Sequence, residues 1–291
     1  MRYSIYLCIL FVLSILSCNS KQEDRVIESF YVRKDDLGRN VSISVNPKRI
    51  LSLTPSITEL VYTFSDTSRL IGRSVWCDYP AGVKVIPAVN NYPLDIEGVV
   101  RLKPDLILVK QGMISVQELD KLEQLHLAVY VQKYDLLNEI YASTKTLVEI
   151  TKGDSATYKH WLTSMQSDTM HTSVQHAKTC LAVTSVSPIY VFGKTTFVSE
   201  LIEQAGGKNC VETIQSAYPT VDVEYILRAN PDVFIFNSTD QQKLFFETYP
   251  LLKQCKGYIT NQLFVIDDSI MSRPGIRLPI LKDSLVSILS K

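Results

Sequence analysis

Asp95-Ile96-Glu97-Gly98-Val99-Val100-Arg101-Leu102-Lys103-Pro104-Asp105, followed by Leu106-Ile107-Leu108-Val109, has a second copy further along the chain. That copy is Asp222-Val223-Glu224-Tyr225-Ile226-Leu227-Arg228-Ala229-Asn230-Pro231-Asp232, followed by Val233-Phe234-Ile235-Phe236. Asp, Glu, Arg, Pro and Asp recur at one constant offset, and a Tyr-Pro pair precedes each copy, Tyr92-Pro93 and Tyr218-Pro219. Asp95 and Asp222 are favourable helix N-caps. Glu97 and Glu224 fall in the first turn, where the positive end of the helix dipole favours a carboxylate. Pro-Asp then stops the helix and turns the chain into an apolar run, the mark of a strand covered on both faces. Two such helix-turn-strand units far apart predict two similar lobes.

The rest of the chain supports that division. Thr58-Glu59-Leu60-Val61 is echoed by Ser199-Glu200-Leu201-Ile202, so the duplication extends beyond one motif. Asp35 to Arg39 reads as a turn, with Val41, Ile43 and Val45 alternating as in a half-buried hairpin. Ile50 to Leu53 is a first core strand, and Ser56-Ile57-Thr58-Glu59 is a capping-box pattern that predicts a helix from near Ser56 to about Phe64. Leu70 to Trp76 and Leu127 to Val131 read as strands, with a helix over Val116 to Leu125. In the second half, a strand at Thr179 to Ser185 leads to a helix at Thr196 to Ala205. The repeated motif is followed there by a helix over Gln241 to Leu252, a strand at Leu263 to Ile266 and a last helix near Arg277 to Leu289. Strands alternating with helices give an α/β class, each lobe built on a mostly parallel sheet flanked by helices. Leu136 to Ile150 and Ser155 to Ala177 have helical patterns interrupted by Gly153, and predict a long helical spine between the lobes. The expected division is a signal segment at 1–18, a tether at 19–34, lobes at 35–134 and 178–291, and the spine at 135–177.

Composition sets the class of partner. The 291 residues carry 30 basic and 30 acidic side chains and are 46% hydrophobic, enough for two cores and without a basic footprint for nucleic acid. At the N-terminus, Arg2 precedes an apolar stretch from Ile5 to Ile15, which ends in Ile15-Leu16-Ser17-Cys18 before a polar run. The stretch is short for a membrane span and reads as an export signal. Its Ile-Leu-Ser-Cys ending resembles a lipobox, which makes Cys18 the lipid-bearing first residue of the mature chain. Of the six cysteines, Cys77, Cys180, Cys210 and Cys255 remain for the folded body. Complete pairing would have to bridge the lobes through Cys77, so at most one disulfide, within the second lobe, is expected.

Catalytic patterns are missing. Gly193-Lys194-Thr195 resembles the end of a phosphate loop, but Pro188 stands where that loop needs its first glycine. His126, His160, His171 and His176 do not assemble a metal-ligand spacing, and no nucleophile stands with a base. What remains is a set of aromatics on loops expected at strand ends, Trp76, Tyr79, Tyr92 and Tyr218, where two-lobed α/β proteins hold ligands.

Lys48 to Glu59, Cys77-Asp78-Tyr79-Pro80, Leu102 to Leu106, Ala205-Gly206-Gly207, Asn230 to Val233 and Ser272-Arg273-Pro274-Gly275 together resemble the helical-backbone substrate-binding proteins of bacterial ABC importers. That group carries cobalamin, haem and ferric siderophores, and the resemblance is strongest to its cobalamin-binding members. It covers the chain from about Asp36 to the end. The resemblance implies two α/β lobes joined by one long helix, no catalysis, no resident cofactor or metal, and a large ligand in the cleft: a corrinoid, or alternatively haem or a ferric siderophore. An aromatic before the Asp-Tyr-Pro loop corresponds to Trp76, and the aromatics before each repeat, commonly Trp in the family, are Tyr92 and Tyr218 here. The family's ligand-contacting loop before the last helix corresponds to Asp268, Met271 and Arg273. Its permease-docking glutamates correspond to Glu97 and Glu224. The expected location is the cell envelope, lipid-anchored to a membrane and facing the periplasm. The competing class is an exported enzyme on the same scaffold, against which the missing catalytic constellation weighs.

Overall fold

The computed structural model describes residues 29–166 and 177–290. The expected signal segment, Cys18, most of the tether, His171 and His176 lie outside the described residues. The first lobe contains β1 (Phe30–Lys34), β2 (Asn40–Ser44), β3 (Ile50–Ser52), α1 (Pro55–Phe64), β4 (Leu70–Ser74), β5 (Ala88–Val89), α2 (Ile96–Leu102), β6 (Leu106–Lys110), α3 (Val116–Gln124) and β7 (Val129–Gln132). The connection begins with α4 (Leu137–Ile150) and α5 (Ser155–Gln166). The second lobe follows with β8 (Thr179–Ser185), β9 (Tyr190–Val191), α6 (Phe197–Gln204), β10 (Lys208–Asn209), α7 (Val223–Ala229), β11 (Val233–Phe236) and α8 (Thr239–Thr248). It ends with α9 (Lys256–Ile259), β12 (Leu263–Val265), α10 (Asp268–Met271) and α11 (Leu278–Leu289).

The two sheets share a plan. The first runs β5-β4-β3-β6-β7, all parallel, and the second runs β10-β8-β11-β12, also parallel, with β9 added antiparallel to β8. The repeated motif occupies the same place in both. Asp95 accepts the N–H of Gly98 at 2.8 Å and Asp222 that of Tyr225 at 2.7 Å, so both caps form as expected. Each helix ends on a left-handed residue, Lys103 at φ 47° and Asn230 at φ 42°, which turns the chain sharply into its Pro-Asp. That second Asp then reaches to the neighbouring strand. Asp105 accepts the N–H groups of Lys48 and Arg49 at 2.6 and 3.0 Å, and Asp232 accepts the N–H and hydroxyl of Thr179 at 2.8 and 2.9 Å. The recurring carboxylate thus aligns β6 with β3 and β11 with β8.

Alternation along the two central strands shows how the lobes are joined. Leu106 and Leu108 of β6, with Val233 and Ile235 of β11, belong to one apolar core that also takes in α1, α4, α5, α6 and α11. Ile107 and Val109 face a separate core of the first lobe, and Phe234 and Phe236 one of the second. One apolar core is therefore common to both lobes and the connection. Lys282 of α11, 3% exposed, donates to the carbonyl of Met165 at 2.8 Å, placing a cation at the C-terminal end of α5.

Several expectations need correction. The tether does not extend to residue 34: Phe30 to Lys34 already pair with Asn40 to Ser44 as a hairpin, in which Tyr31 and Arg33 are half-buried. The single long helix that the resemblance implies is two helices among the described residues, and the break falls between Ile150 and Ser155 as the Gly153 interruption predicts, with Gly153 close to the backbone of Phe64. Helix α1 starts at Pro55 with Thr54 as an N-cap lacking a side-chain bond, so the expected capping box is not formed. Helix α8 stops at Thr248 rather than Leu252, because Pro250 opens a separate 3-10 turn. Cys77, Cys180, Cys210 and Cys255 are all free thiols, within the expectation of at most one disulfide.

Candidate ligand cleft between the lobes

In a parallel α/β sheet the loops at the C-terminal strand ends gather on one edge, and there the structure places the aromatic residues. After β4, the chain is pinned by Cys77, 2% exposed, whose thiol lies 3.1 Å from the Thr58 hydroxyl, and by Arg73, which donates to the Cys77 carbonyl at 2.9 Å. Burial pushes the Cys77 thiol pKa up, as suits a packing group rather than a nucleophile. The pinned loop projects its neighbours outward: Trp76 is 64% exposed and Tyr79 42%. After β5, Asn91 is buried and donates to the carbonyl of Leu53 at 3.3 Å, which leaves Tyr92 projecting at 86% exposure.

Tyr218 is the counterpart in the second lobe. Its segment runs beside β9, with the Gly193 N–H donating to Ala217 O at 2.8 Å and the Val191 N–H to Pro219 O at 3.2 Å. A Cβ on Gly193 would lie 2.0 Å from the Ser216 carbonyl, so this approach requires glycine. The Tyr218 ring lies 5.7 Å from that of Phe192, and its phenol is raised by burial and by the nearby Asp135 carboxylate. Asp135 in turn pairs with Lys110, at the end of β6, at 2.8 Å.

The segment before the last helix divides in two. Asp268 is exposed, accepting from Ser272 Oγ at 2.7 Å, and Arg273 is half-buried, held by an ion pair to Asp78. Met271 is 1% exposed and packs in the shared core, so it is not presented to a ligand as expected. Its place at the end of the short α10 turns it inward while Asp268 and Arg273 stay at the surface.

Sequence reasoning missed the residue beneath this segment. Glu59, read as a capping acid, is 1% exposed and accepts Nη2 and Nε of Arg277 at 2.7 and 3.0 Å. Burial raises the Glu59 pKa against the opposing pull of Arg277 and Arg273. The Arg277 guanidinium lies 4.3 Å from the centre of the Tyr79 ring, and its Nη1 donates to Ser269 Oγ at 2.8 Å. Asp78 is held below the usual carboxylate range by the hydrogen bond from Arg273. Only the recurrence of Glu in the second-half echo hinted that Glu59 does more than cap.

Glu97 and Glu224 are both exposed, each two residues past its capping Asp, and neither side chain has a hydrogen-bond or ion-pair partner among the described residues. No group of three or more metal-ligating side chains is placed to hold an ion among the described residues. A surface depression of about 570 Å³, lined by Phe30, Asp105, Glu123 and His126, lies at the opposite edge of the first sheet, away from the rim.

Two parallel-sheet lobes, a shared connection and exposed aromatics at the strand ends give the architecture of a two-lobed binding protein. Residues 50–270 match the model of the periplasmic binding protein family, and the chain belongs to that family. It is 27% identical over 263 residues to an uncharacterised ABC transporter substrate-binding lipoprotein of Bacillus subtilis, covering 86% of this chain and 83% of that one. It is 23% identical over 254 residues to the vitamin B12-binding protein of Pectobacterium atrosepticum, covering 84% and 89%. The periplasmic vitamin B12 binding protein of Vibrio cholerae shares the fold, with a TM-score of 0.73 at 22% identity over 84% of this chain and 97% of that one. The family and these relatives are solute-binding proteins, not enzymes. No helix among the described residues is long and apolar enough to cross a membrane.

Proposed function

We propose that this protein captures cobalamin or a related corrinoid between its lobes and delivers it to an ABC permease, held at the cell envelope by a lipid on Cys18. The observation that supports the ligand class is the set of exposed aromatics on loops at strand ends, Trp76, Tyr79 and Tyr92 on one lobe and Tyr218 on the other, which we assign to the two walls of the cleft. A corrinoid is broad, with a greasy ring and a rim of neutral amides. Exposed aromatics supply stacking area, and Asp268 and Arg273 supply hydrogen bonds to the amides. The B12-binding relative supports the same ligand class, and the lipoprotein relative supports the anchor. Glu97 and Glu224, unpartnered among the described residues and one on each lobe, are the groups that meet basic residues of the permease.

Haem is the second reading, because exposed tyrosines such as Tyr92 offer iron an oxygen ligand. Against it, the Tyr218 phenol is raised by burial and by Asp135, which disfavours the phenolate that iron takes. Purified protein incubated with cyanocobalamin, haemin or a ferric siderophore, then passed over a sizing column, separates these ligands by absorbance. Co-elution of the corrinoid at one per chain is expected. Haemin or siderophore co-eluting instead would overturn the ligand assignment.

A further inference from the structure

The second echo of the duplication, Glu59 in α1 and Glu200 in α6, marks a reciprocal contact between the halves. Glu59 takes the guanidinium of Arg277, the residue that leads into α11. Glu200 takes the backbone N–H of Leu137, the first residue of α4, at 2.6 Å. Helix α4 leaves the last strand of the first lobe, and α11 follows the last strand of the second. Each lobe's first helix therefore sends its glutamate to the N-terminus of the helix that leaves the other lobe.

The first contact stands behind Tyr79, and the second lies two residues past Asp135, which acts on Tyr218. Arg277 carries the Tyr79 ring on its guanidinium face and fixes Ser269. On the other side, just ahead of Leu137, the backbone carbonyl of Asp135 accepts the N–H of Phe197 at 2.6 Å, while its carboxylate pairs with Lys110 and raises the Tyr218 phenol. We infer that Glu59 and Glu200 are a matched pair of positioning residues that set the spacing of the lobes, and with it the gap between Tyr79 and Tyr218, without touching ligand themselves. This rests on the cleft being the ligand site. The two ends are unequal: Glu59 is buried and held at two points by a cation, whereas Glu200 is half-buried and receives one backbone N–H. The Glu59 end is the firmer of the two, since a planar guanidinium matched to a carboxylate fixes both distance and angle.

Replacing both members of the buried pair, Glu59→Met with Arg277→Met, removes the two charges together and spares the chain an unpaired one. Ligand-free protein is measured by small-angle X-ray scattering and by urea unfolding, and bound protein by titration with cyanocobalamin and haemin. The double variant is expected to unfold near the wild-type midpoint and to scatter as a broader distribution of lobe spacings. Its affinity for whichever probe the wild type binds should fall by about tenfold or more, the loss a displaced aromatic anchor produces. Glu200→Gln should shift scattering and affinity in the same direction by less. Wild-type scattering and affinity in the double variant would overturn the inference, as would affinity that falls only in step with stability while scattering is unchanged. Should the double variant fail to fold, Arg277→Lys, which keeps the charge and loses the two-point contact, is judged by the same criteria. A wild type that binds neither probe would remove the cleft assignment, while the scattering arm would still decide whether the glutamates set the spacing.

Discussion

Tyr92→Ala separates binding from folding more cleanly than any other rim substitution. The side chain is 86% exposed and its loop is held from behind by Asn91, so the ring contributes little to the folded state. Its truncation should change unfolding free energy by no more than about 0.5 kcal/mol, as for exposed side chains generally. Against a bound corrinoid the same ring would be covered, and truncating a covered aromatic anchor costs about 1–3 kcal/mol, or about 5- to 140-fold in Kd. Isothermal titration with cyanocobalamin and urea unfolding, run on wild type, Tyr92→Ala and Tyr92→Phe, give both quantities. Tyr92→Phe should stay near wild type in both, because the stacking face is kept. Unchanged affinity in Tyr92→Ala would place the ligand elsewhere. Affinity and stability falling together would mean that the ring serves the fold.

Three other substitutions test separate parts of the account. Glu97→Ala with Glu224→Ala should leave folding and ligand affinity near wild type, since each carboxylate contributes only about 0.3–1 kcal/mol at a helix end. Transport should fall sharply in that variant, because truncating one side of a docking pair costs about 2–5 kcal/mol, and normal uptake would return both residues to a local role. Cys18→Ala should move the protein from membrane to soluble fractions without altering ligand binding; a membrane-bound variant would refute the lipid anchor. Asp78 has a depressed folded-state pKa, so its ion pair with Arg273 stabilises the fold above the ordinary carboxylate pKa and is lost as pH falls through the lowered value. Wild type should accordingly exceed Asp78→Asn in unfolding free energy near pH 7, and the gap should close below about pH 3.9; a gap that persists in strong acid would show that charge is not its source.

What could be read from the sequence was local. The caps at Asp95 and Asp222, the Pro-Asp turns and the apolar runs of β6 and β11 follow from neighbouring residues, and all formed as expected. Ser56 and Glu59 fit a capping box by spacing alone, whereas the partner that wins Glu59 is a guanidinium 218 positions away. Sequence position groups Met271 with Asp268 and Arg273 as one loop, but a short helix gives its residues different faces, and the apolar side chain takes the inward one. The hairpin strand Phe30 to Lys34 follows directly on a polar run and reads with it as tether, yet its ladder to β2 supplies the backbone partners that make it a strand. The rim aromatics were visible as residue types at strand ends; their support by Asn91, Cys77 and Arg277 comes only from distant parts of the chain.

The chain has 2 tryptophans, and they report on different places: Trp76 stands on the rim at 64% exposure, while Trp161 is 4% exposed in the connection. With Trp161→Phe as background and excitation selective for tryptophan, tryptophan emission comes from Trp76 alone, and a corrinoid bound against it would absorb that emission. Titration of this variant with cyanocobalamin should quench Trp76 saturably at one equivalent per chain. Quenching that rises only in proportion to added cobalamin absorbance, with no saturation, would contradict the claim that the cleft between the lobes is a corrinoid site.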